Sequence, residues 1–300
     1  MKQYTIAVLG GDKRMDFAAR ELANRGLTVR EWGRRKGDDI AAFAKGARRW
    51  FADVDALMLP LPTSTDGTHL STPLLNNGNG LRMETLFCAA PKKRWFVGRL
   101  TDSLLLRAER EGIHPTDYFQ NELLQLKNAL PTAEGAIEIA MRELPVVLNG
   151  TKVAIIGYGR IGEVLAAKLN ALGARVSVYA RRQISCVRAE LAGNHAVQIF
   201  SLPENENTLC FDTETRVIFN TVPSRLLTHA VLQNLARECL VIDLASAPGG
   251  VDQPAAEELG IRSIWATALP GKCSPESAGI ILGQTVYSIL TETQPKSSDF

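Results

Sequence analysis

Val153-Ala154-Ile155-Ile156-Gly157-Tyr158-Gly159-Arg160-Ile161-Gly162 decides the fold. The four apolar residues read as a buried parallel strand, and residues 161–172 recur at helical spacing up to Gly173. Between them stands G-x-G-x-x-G, and a second strand follows at 175–179. Strand, glycines, helix and strand together make a dinucleotide-binding βαβ unit, which the glycines alone would not. Gly157 permits the tight turn, Gly159 lets backbone approach a pyrophosphate, and Gly162 lets the helix pack close to the strand. The pyrophosphate is then expected on Gly157, Gly159, Arg160, Ile161 and Gly162, where the amides and dipole of a helix N-terminus favour an anion.

The end of the second strand discriminates between cofactors. NAD-binding folds place an acid there to accept hydrogen bonds from the ribose hydroxyls. Here Ser177-Val178-Tyr179 runs into Ala180-Arg181-Arg182, about 20 residues past the glycines, with no acid among them. Two guanidinium groups offer paired donors suited to a 2′-phosphate, so NADP is the expected cofactor. The alternative is that Arg181 and Arg182 solvate a turn. Asn220-Thr221-Val222-Pro223-Ser224 and Asp243-Leu244-Ala245-Ser246 close later strands, and their loops are expected to rim the nicotinamide end. Pro248-Gly249-Gly250 follows, with a plain turn as the alternative, and Leu269-Pro270-Gly271-Lys272-Cys273 reads as a third such loop directly before the final helix.

The first half shows the same alternation. An apolar run at 4–9 stops at Gly10-Gly11, and Phe17, Ala18, Leu22 and Ala23 follow at helical spacing. A strand at 27–29, a helix at 41–51 and a strand at 56–59 complete βαβαβ, which implies a parallel sheet. Residues 63–82 then form a long polar loop at the sheet's carboxyl edge, where open α/β sheets bind ligands. Asn128-Ala129-Leu130-Pro131-Thr132 is expected to break one helix (118–127), with Thr132 capping the next (133–144). The fold expected is α/β, two doubly wound parallel-sheet domains with the ligand cleft between them, the second a Rossmann dinucleotide-binding domain. A flavodoxin-like substrate domain would span 1–145, joined by the C-terminal helix 275–293, and the cofactor domain 146–274. The polar tail 294–300 is expected to fray.

Composition narrows the classes. The 300 residues suggest about two domains. With 45% hydrophobic and 22% charged residues the chain is neither disordered nor fibrous. A formal charge of +2 gives no reason to expect nucleic acid. No apolar run approaches the roughly 18 residues of a membrane span, and the opening apolar stretch, 6–9, stops at Gly10-Gly11, where a secretory h-region would be longer. Cys88, Cys186, Cys210, Cys239 and Cys273 are scattered without a C-x-x-C pair, which reads as reduced thiols in the cytoplasm and no metal site.

The loops carry a resemblance over essentially the whole chain. Asn128-Ala129-Leu130-Pro131-Thr132-Ala133-Glu134-Gly135, the glycines at 157–162, Asn220-Thr221-Val222-Pro223-Ser224 and Ile242-Asp243-Leu244-Ala245-Ser246 resemble the dipicolinate synthase A subunits of endospore-forming bacteria. So do Ala268-Leu269-Pro270-Gly271, Ala278-Gly279 and the opening Val8-Leu9-Gly10-Gly11-Asp12 with Arg14. The resemblance implies NADP-dependent oxidation of a dihydropyridine dicarboxylate to pyridine-2,6-dicarboxylate, on a branch of the lysine pathway. The partner it implies is a smaller, flavoprotein-like B subunit. It further implies a role in sporulation and the mother-cell cytoplasm as location. The chain is also similar to D-2-hydroxyacid dehydrogenases, but Ser246 stands where those enzymes carry an Arg, and Gly271-Lys272-Cys273 where they carry a His. A dehydrogenase of that kind, or a non-catalytic NADP-binding subunit, is the alternative reading.

Dehydrogenation of such a dicarboxylate needs a hydride acceptor, a proton acceptor and sites for two carboxylates. Glu134, Asp243 and Lys272 are the candidate catalytic groups, with His69 as a further candidate base in the polar loop, where the alternative is plain solvation. Glu134 in a first helical turn would equally serve the helix dipole, and Asp243 would equally cap a turn. Arg14, Arg225 and the hydroxyls of Thr63, Ser64 and Thr65 are candidate substrate contacts. The apolar stretch 133–147 is expected to act either as a dimer helix in a homo-oligomer or as an interdomain helix.

Overall fold

The computed structural model describes residues 4–75, 80–199 and 209–292. The tail 294–300 and part of the Asn-rich loop, 76–79, lie outside them. The chain divides into two compact units, 1–128 with 274–300, and 129–273.

In the first unit the apolar runs become strands, since strands covered on both faces need near-continuous hydrophobicity. The order is β1 (Thr5–Leu9), α1 (Arg14–Asn24), β2 (Thr28–Trp32), α2 (Ile40–Trp50), β3 (Ala56–Met58), α3 (Met83–Ala89), β4 (Arg94–Val97), α4 (Asp102–Arg110) and β5 (Thr116–Asp117). All strands are parallel, in the order β2-β1-β3-β4-β5, with Val8 opposite Glu31 on one side and Met58 on the other. Alternate residues feed opposite faces, as the pleat requires. Ile6, Val8, Met58 and Phe96 pack into one core, while Ala7, Leu9, Leu57 and Trp95 pack into the other. The winding reverses between β1 and β3, so the loops after these strands, 10–13 and 59–71, meet at the carboxyl edge.

The expected break at Pro131 does not occur. One helix, α5 (Glu122–Glu143), runs straight through it. Proline removes one backbone hydrogen bond there. Burial of Leu124 and Ala129 before it, and of Ala133, Ala136 and Ala140 after it, holds the axis. Thr132 is therefore no cap, and the division between units falls inside α5, at Asn128/Ala129, rather than near 145. The later part of α5 belongs to the core of the second unit, with Ile137 and Ile139 packed there.

The second unit continues with β6 (Lys152–Ile156), α6 (Arg160–Ala171), β7 (Arg175–Ala180), α7 (Gln183–Leu191), β8 (His195–Gln198), β9 (Thr215–Asn220), α8 (His229–Leu232), β10 (Leu240–Asp243), α9 (Gln253–Leu259), β11 (Arg262–Trp265) and α10 (Leu269–Cys273). Its parallel sheet has the order β11-β10-β9-β6-β7-β8, the Rossmann order, reversing between β6 and β9. The two units thus share an architecture but differ in strand order. The sequence reading missed the short edge strands β5 and β8, whose polar residues carry no apolar run.

The last helix, α11 (Pro275–Glu292), returns to the first unit and lies along α1. Gly279 and Gly283 face α1 so closely that a Cβ on Gly279 would stand 2.3 Å from the carbonyl oxygen of Arg14.

Candidate functional site

At the head of β6 the backbone forms the cradle that the glycines foretold. Gly157 has φ +94°, and a Cβ there would fall 2.3 Å from Thr221 Oγ1. A Cβ on Gly162 would fall 2.2 Å from the carbonyl oxygen of Gly157, whereas one on Gly159 would meet only open space. Gly159 is the N-cap of α6 and provides no capping side chain, so the first-turn amides remain for an anion or water. A diphosphate fits this cradle.

Beside it, β7 ends on buried Ala180, and Arg181 and Arg182 emerge exposed. Among the described residues no carboxylate pairs with either guanidinium. Their backbone is nonetheless fixed: the Arg181 carbonyl accepts from Gln198 Nε2 at 3.3 Å, and that of Arg182 from Ser185 N at 2.9 Å.

The loops after β9 and β10 are tied by a buried knot. Asp243 Oδ1 accepts from Asn220 Nδ2 at 2.7 Å and Ala245 N at 3.1 Å, and its Oδ2 accepts from Gly250 N at 2.7 Å. Asn220 Nδ2 also reaches the Val222 carbonyl at 3.0 Å, Thr221 Oγ1 donates to Ile156 O at 2.9 Å, and Trp265 Nε1 donates to Ala245 O at 2.9 Å. Asp243 is fully buried with three N–H groups on its carboxylate, so it holds loops and does not serve as the base. Pro223 and Ser246 remain exposed at the two loop tips.

Other sequence candidates are placed differently from expectation. Glu134 lies inside α5, not in a first turn, and pairs with Lys168 at 2.8 Å. Lys272 is exposed on α10. Arg225 is exposed and 3.9 Å from Asp252. In the first unit Arg14 is not an open fork: it is buried, its Nε and Nη2 bound to the Asp12 carboxylate and its Nη2 also to the Leu61 carbonyl at 2.5 Å. Thr63 is also spent internally, donating to Pro60 O and accepting from Gly98 N, both at 3.0 Å. Ser64 is buried and donates to Asp66 Oδ1 at 3.1 Å, while Thr65 stays exposed.

Two groups escaped the sequence reading. Arg34, buried behind the first loop, binds Asp16 at 2.7 Å and the Gly10 carbonyl at 3.0 Å. Asp66 Oδ2 lies 2.6 Å from His69 Nδ1, and Asp66 Oδ1 accepts from the amides of Thr68 and His69 at 2.8 Å each. The His69 amide and ring, with the Thr68 amide, hold the Asp66 carboxyl far below the usual carboxylate range. The Asp-x-x-His spacing was the available signal for this pair. Burial pushes the Tyr118 phenol up, and its hydroxyl donates to the Leu59 carbonyl at 2.8 Å.

Residues 5–119 match the family described as the N-terminal domain of the dipicolinate synthase A subunit. Residues 124–242 match the NAD-binding domain of D-isomer-specific 2-hydroxyacid dehydrogenases. The chain is 29% identical over 298 residues to the dipicolinate synthase A subunit of Bacillus subtilis (strain 168), covering 96% of each chain. It is similar to the crystal structure of the same protein from Bacillus halodurans, with a TM-score of 0.83 and 26% identity over 97% of this chain and 98% of the other. The Bacillus subtilis structure gives a TM-score of 0.80 at 28% identity over 97% of each chain. The resemblance read from the loops holds across both units. No helix among the described residues is long and apolar enough to cross a membrane.

Proposed function

We propose that this chain is the A subunit of a dipicolinate synthase, oxidising dihydrodipicolinate to pyridine-2,6-dicarboxylate with NADP, beside a B subunit in the mother-cell cytoplasm during sporulation. The likeness to the dipicolinate synthase A subunit over 96% of both chains carries this reading. The cradle supports it, because α6 leaves its first-turn amides uncapped beside an open Gly159.

NADP, when bound, supplies the hydride acceptor. The chain's residues bind and orient it: the glycines and first turn of α6 take the pyrophosphate, and Arg181 and Arg182 take the 2′-phosphate. The Asn220–Asp243 knot fixes the loops carrying Thr221, Val222, Pro223, Ala245 and Ser246 where the nicotinamide end is expected. Aromatisation supplies a large driving force, so positioning is the main task left to the protein. Self-association is part of the same reading. Within the stretch 133–147 most apolar residues are taken up by the unit's own core, which leaves Met141, Val146 and Val147 exposed for a second copy, beside Leu123, Leu126 and Leu130 earlier on α5.

The test is to incubate purified chain, with and without a B subunit, with freshly generated dihydrodipicolinate and NADP. Pyridine dicarboxylate and reduced nicotinamide should appear together. Product without nicotinamide reduction overturns the hydride-transfer reading.

A further inference from the structure

The reaction requires a proton acceptor and a carboxylate anchor. The sequence positions where D-2-hydroxyacid dehydrogenases carry them hold Ser246 and Gly271-Lys272-Cys273 here, and Asp243 is spent in a knot. The polar loop of the first unit offers both. Asp66 is ionised and can only accept, so the 2.6 Å contact requires a proton on His69 Nδ1. Nε2 is then the ring nitrogen left without a partner among the described residues. The ring is 24% exposed, enough to meet a small molecule.

The loop that bears it is braced. Ser71 N donates to Thr63 O at 2.9 Å, Gly11 N to Ser71 O at 2.7 Å, and Leu70 N to Leu81 O at 2.7 Å. His69 and Arg82 form an antiparallel bridge pair, which places their side chains on the same face. Arg82 is exposed, and its guanidinium has no ion-pair or hydrogen-bond partner among the described residues. Base and cation therefore stand side by side at the carboxyl edge of the first sheet.

We propose that His69, oriented by Asp66, takes the proton from the dicarboxylate substrate while Arg82 anchors one of its carboxylates. The proposal rests on the dehydrogenase reading above. One ring C–H bond breaks with its electron pair leaving as hydride, for which NADP, when bound, would be the acceptor. The C–H bond on the neighbouring saturated carbon breaks with its pair forming the new ring double bond, and its proton passes to His69 Nε2. The substrate thus loses a hydride and a proton, and the imidazolium returns its proton to water.

Histidine ring ¹⁵N spectra give a readout independent of turnover. There are four histidines, and loss of one signal in His69→Gln assigns this ring. It should show Nδ1 protonated and Nε2 bare, and Asp66→Asn should shift that balance. A spectrum that Asp66→Asn leaves unchanged overturns the orientation. In turnover, His69→Ala should lower kcat on the order of 10²- to 10⁴-fold, with added imidazole restoring part of it. Arg82→Gln should raise KM for the dicarboxylate roughly tenfold or more while kcat changes less. Wild-type rates in His69→Ala, or a loss that imidazole does not relieve in a folded variant, remove His69 alone. A wild-type chain that turns over no dihydrodipicolinate, with or without a B subunit, removes the functional reading and this proposal together.

Discussion

Asn220 Nδ2 stands 2.7 Å from Asp243 Oδ1, at the carboxyl ends of two adjacent strands and wholly out of water. A Cβ on Gly250 would come 2.1 Å from that same nitrogen, so the two loops are fitted around the pair. Asp243→Asn should destabilise the protein. Its carboxylate accepts three N–H donors, and an amide would turn its own NH₂ against one of them. Leaving a buried donor unsatisfied costs about 1–3 kcal/mol. Thermal unfolding should shift down by several degrees, and NADP should bind more weakly because the nicotinamide-side loops loosen. An unchanged midpoint would show that the knot holds nothing.

The α1–α11 contact makes a graded prediction. A methyl on Gly279 would meet backbone, the carbonyl of Arg14 at 2.3 Å, whereas on Gly283 the contacts lie at 2.9 Å and include the flexible Glu21 side chain. Backbone cannot rotate out of the way. Gly279→Ala should therefore cost on the order of 1–3 kcal/mol and Gly283→Ala less. Denaturant midpoints for the two variants measure the order directly, and the reverse order would contradict this packing.

The parts of the molecule legible in the sequence are those whose cause is local. The runs at Ile6-Ala7-Val8-Leu9 and Val153-Ala154-Ile155-Ile156 are strands because each residue is buried. The glycine cradle is legible because its pattern is local, Gly162 packing on the Gly157 carbonyl within one turn, although Thr221, 64 positions on, also closes on Gly157. The errors arose where the deciding partner is distant. Arg14 reads as an open fork until Leu61, 47 positions away, takes one of its donors. Thr63 reads as a free hydroxyl until Gly98, 35 positions away, is found on it. Pro131 reads as a break because local propensity cannot see the apolar surfaces that bury α5 on both sides of it. Asp66 and His69 are three positions apart, so their pairing was within reach of the sequence.

The cysteines should divide into two groups under a thiol reagent. Cys88, Cys210 and Cys273 are exposed, while Cys186 and Cys239 are buried. Burial pushes the Cys239 thiol up to about 12 from its ordinary 9.0, with Arg216 opposing weakly, and burial also raises Cys186. The thiolate is the reacting species, so both should stay silent in the native state at neutral pH. Because the folded value of Cys239 is raised, the stability it lends is complete below about pH 9 and falls as pH climbs toward 12. Titration should count three accessible thiols, Cys273 the slower of them because burial raises it too, and the other two only in denaturant.

The proposed choice of NADP over NAD rests on two side chains. At the end of β7, where an acid would accept the ribose hydroxyls of NAD, Ala180 is buried and Arg181 and Arg182 face solvent. Neither guanidinium has a carboxylate partner among the described residues, so neither has an internal attraction to give up on binding. Gln198 and the first turn of α7 hold the carbonyls of the pair, which fixes the backbone from which both side chains reach. A guanidinium offers two donors in the plane a phosphate presents, and a charge-assisted bond of this kind is worth about tenfold or more in affinity. NAD lacks the 2′-phosphate and gains nothing from either residue. Arg181→Ala should thus raise the dissociation constant for NADP about tenfold while leaving that for NAD nearly unchanged, and Arg181→Ala with Arg182→Ala should bring the two cofactors close to parity. Fluorescence titration of both cofactors against both variants separates the cases. Equal losses for NADP and NAD would place Arg181 in the turn's solvation alone, and a wild-type preference for NAD would overturn the assignment.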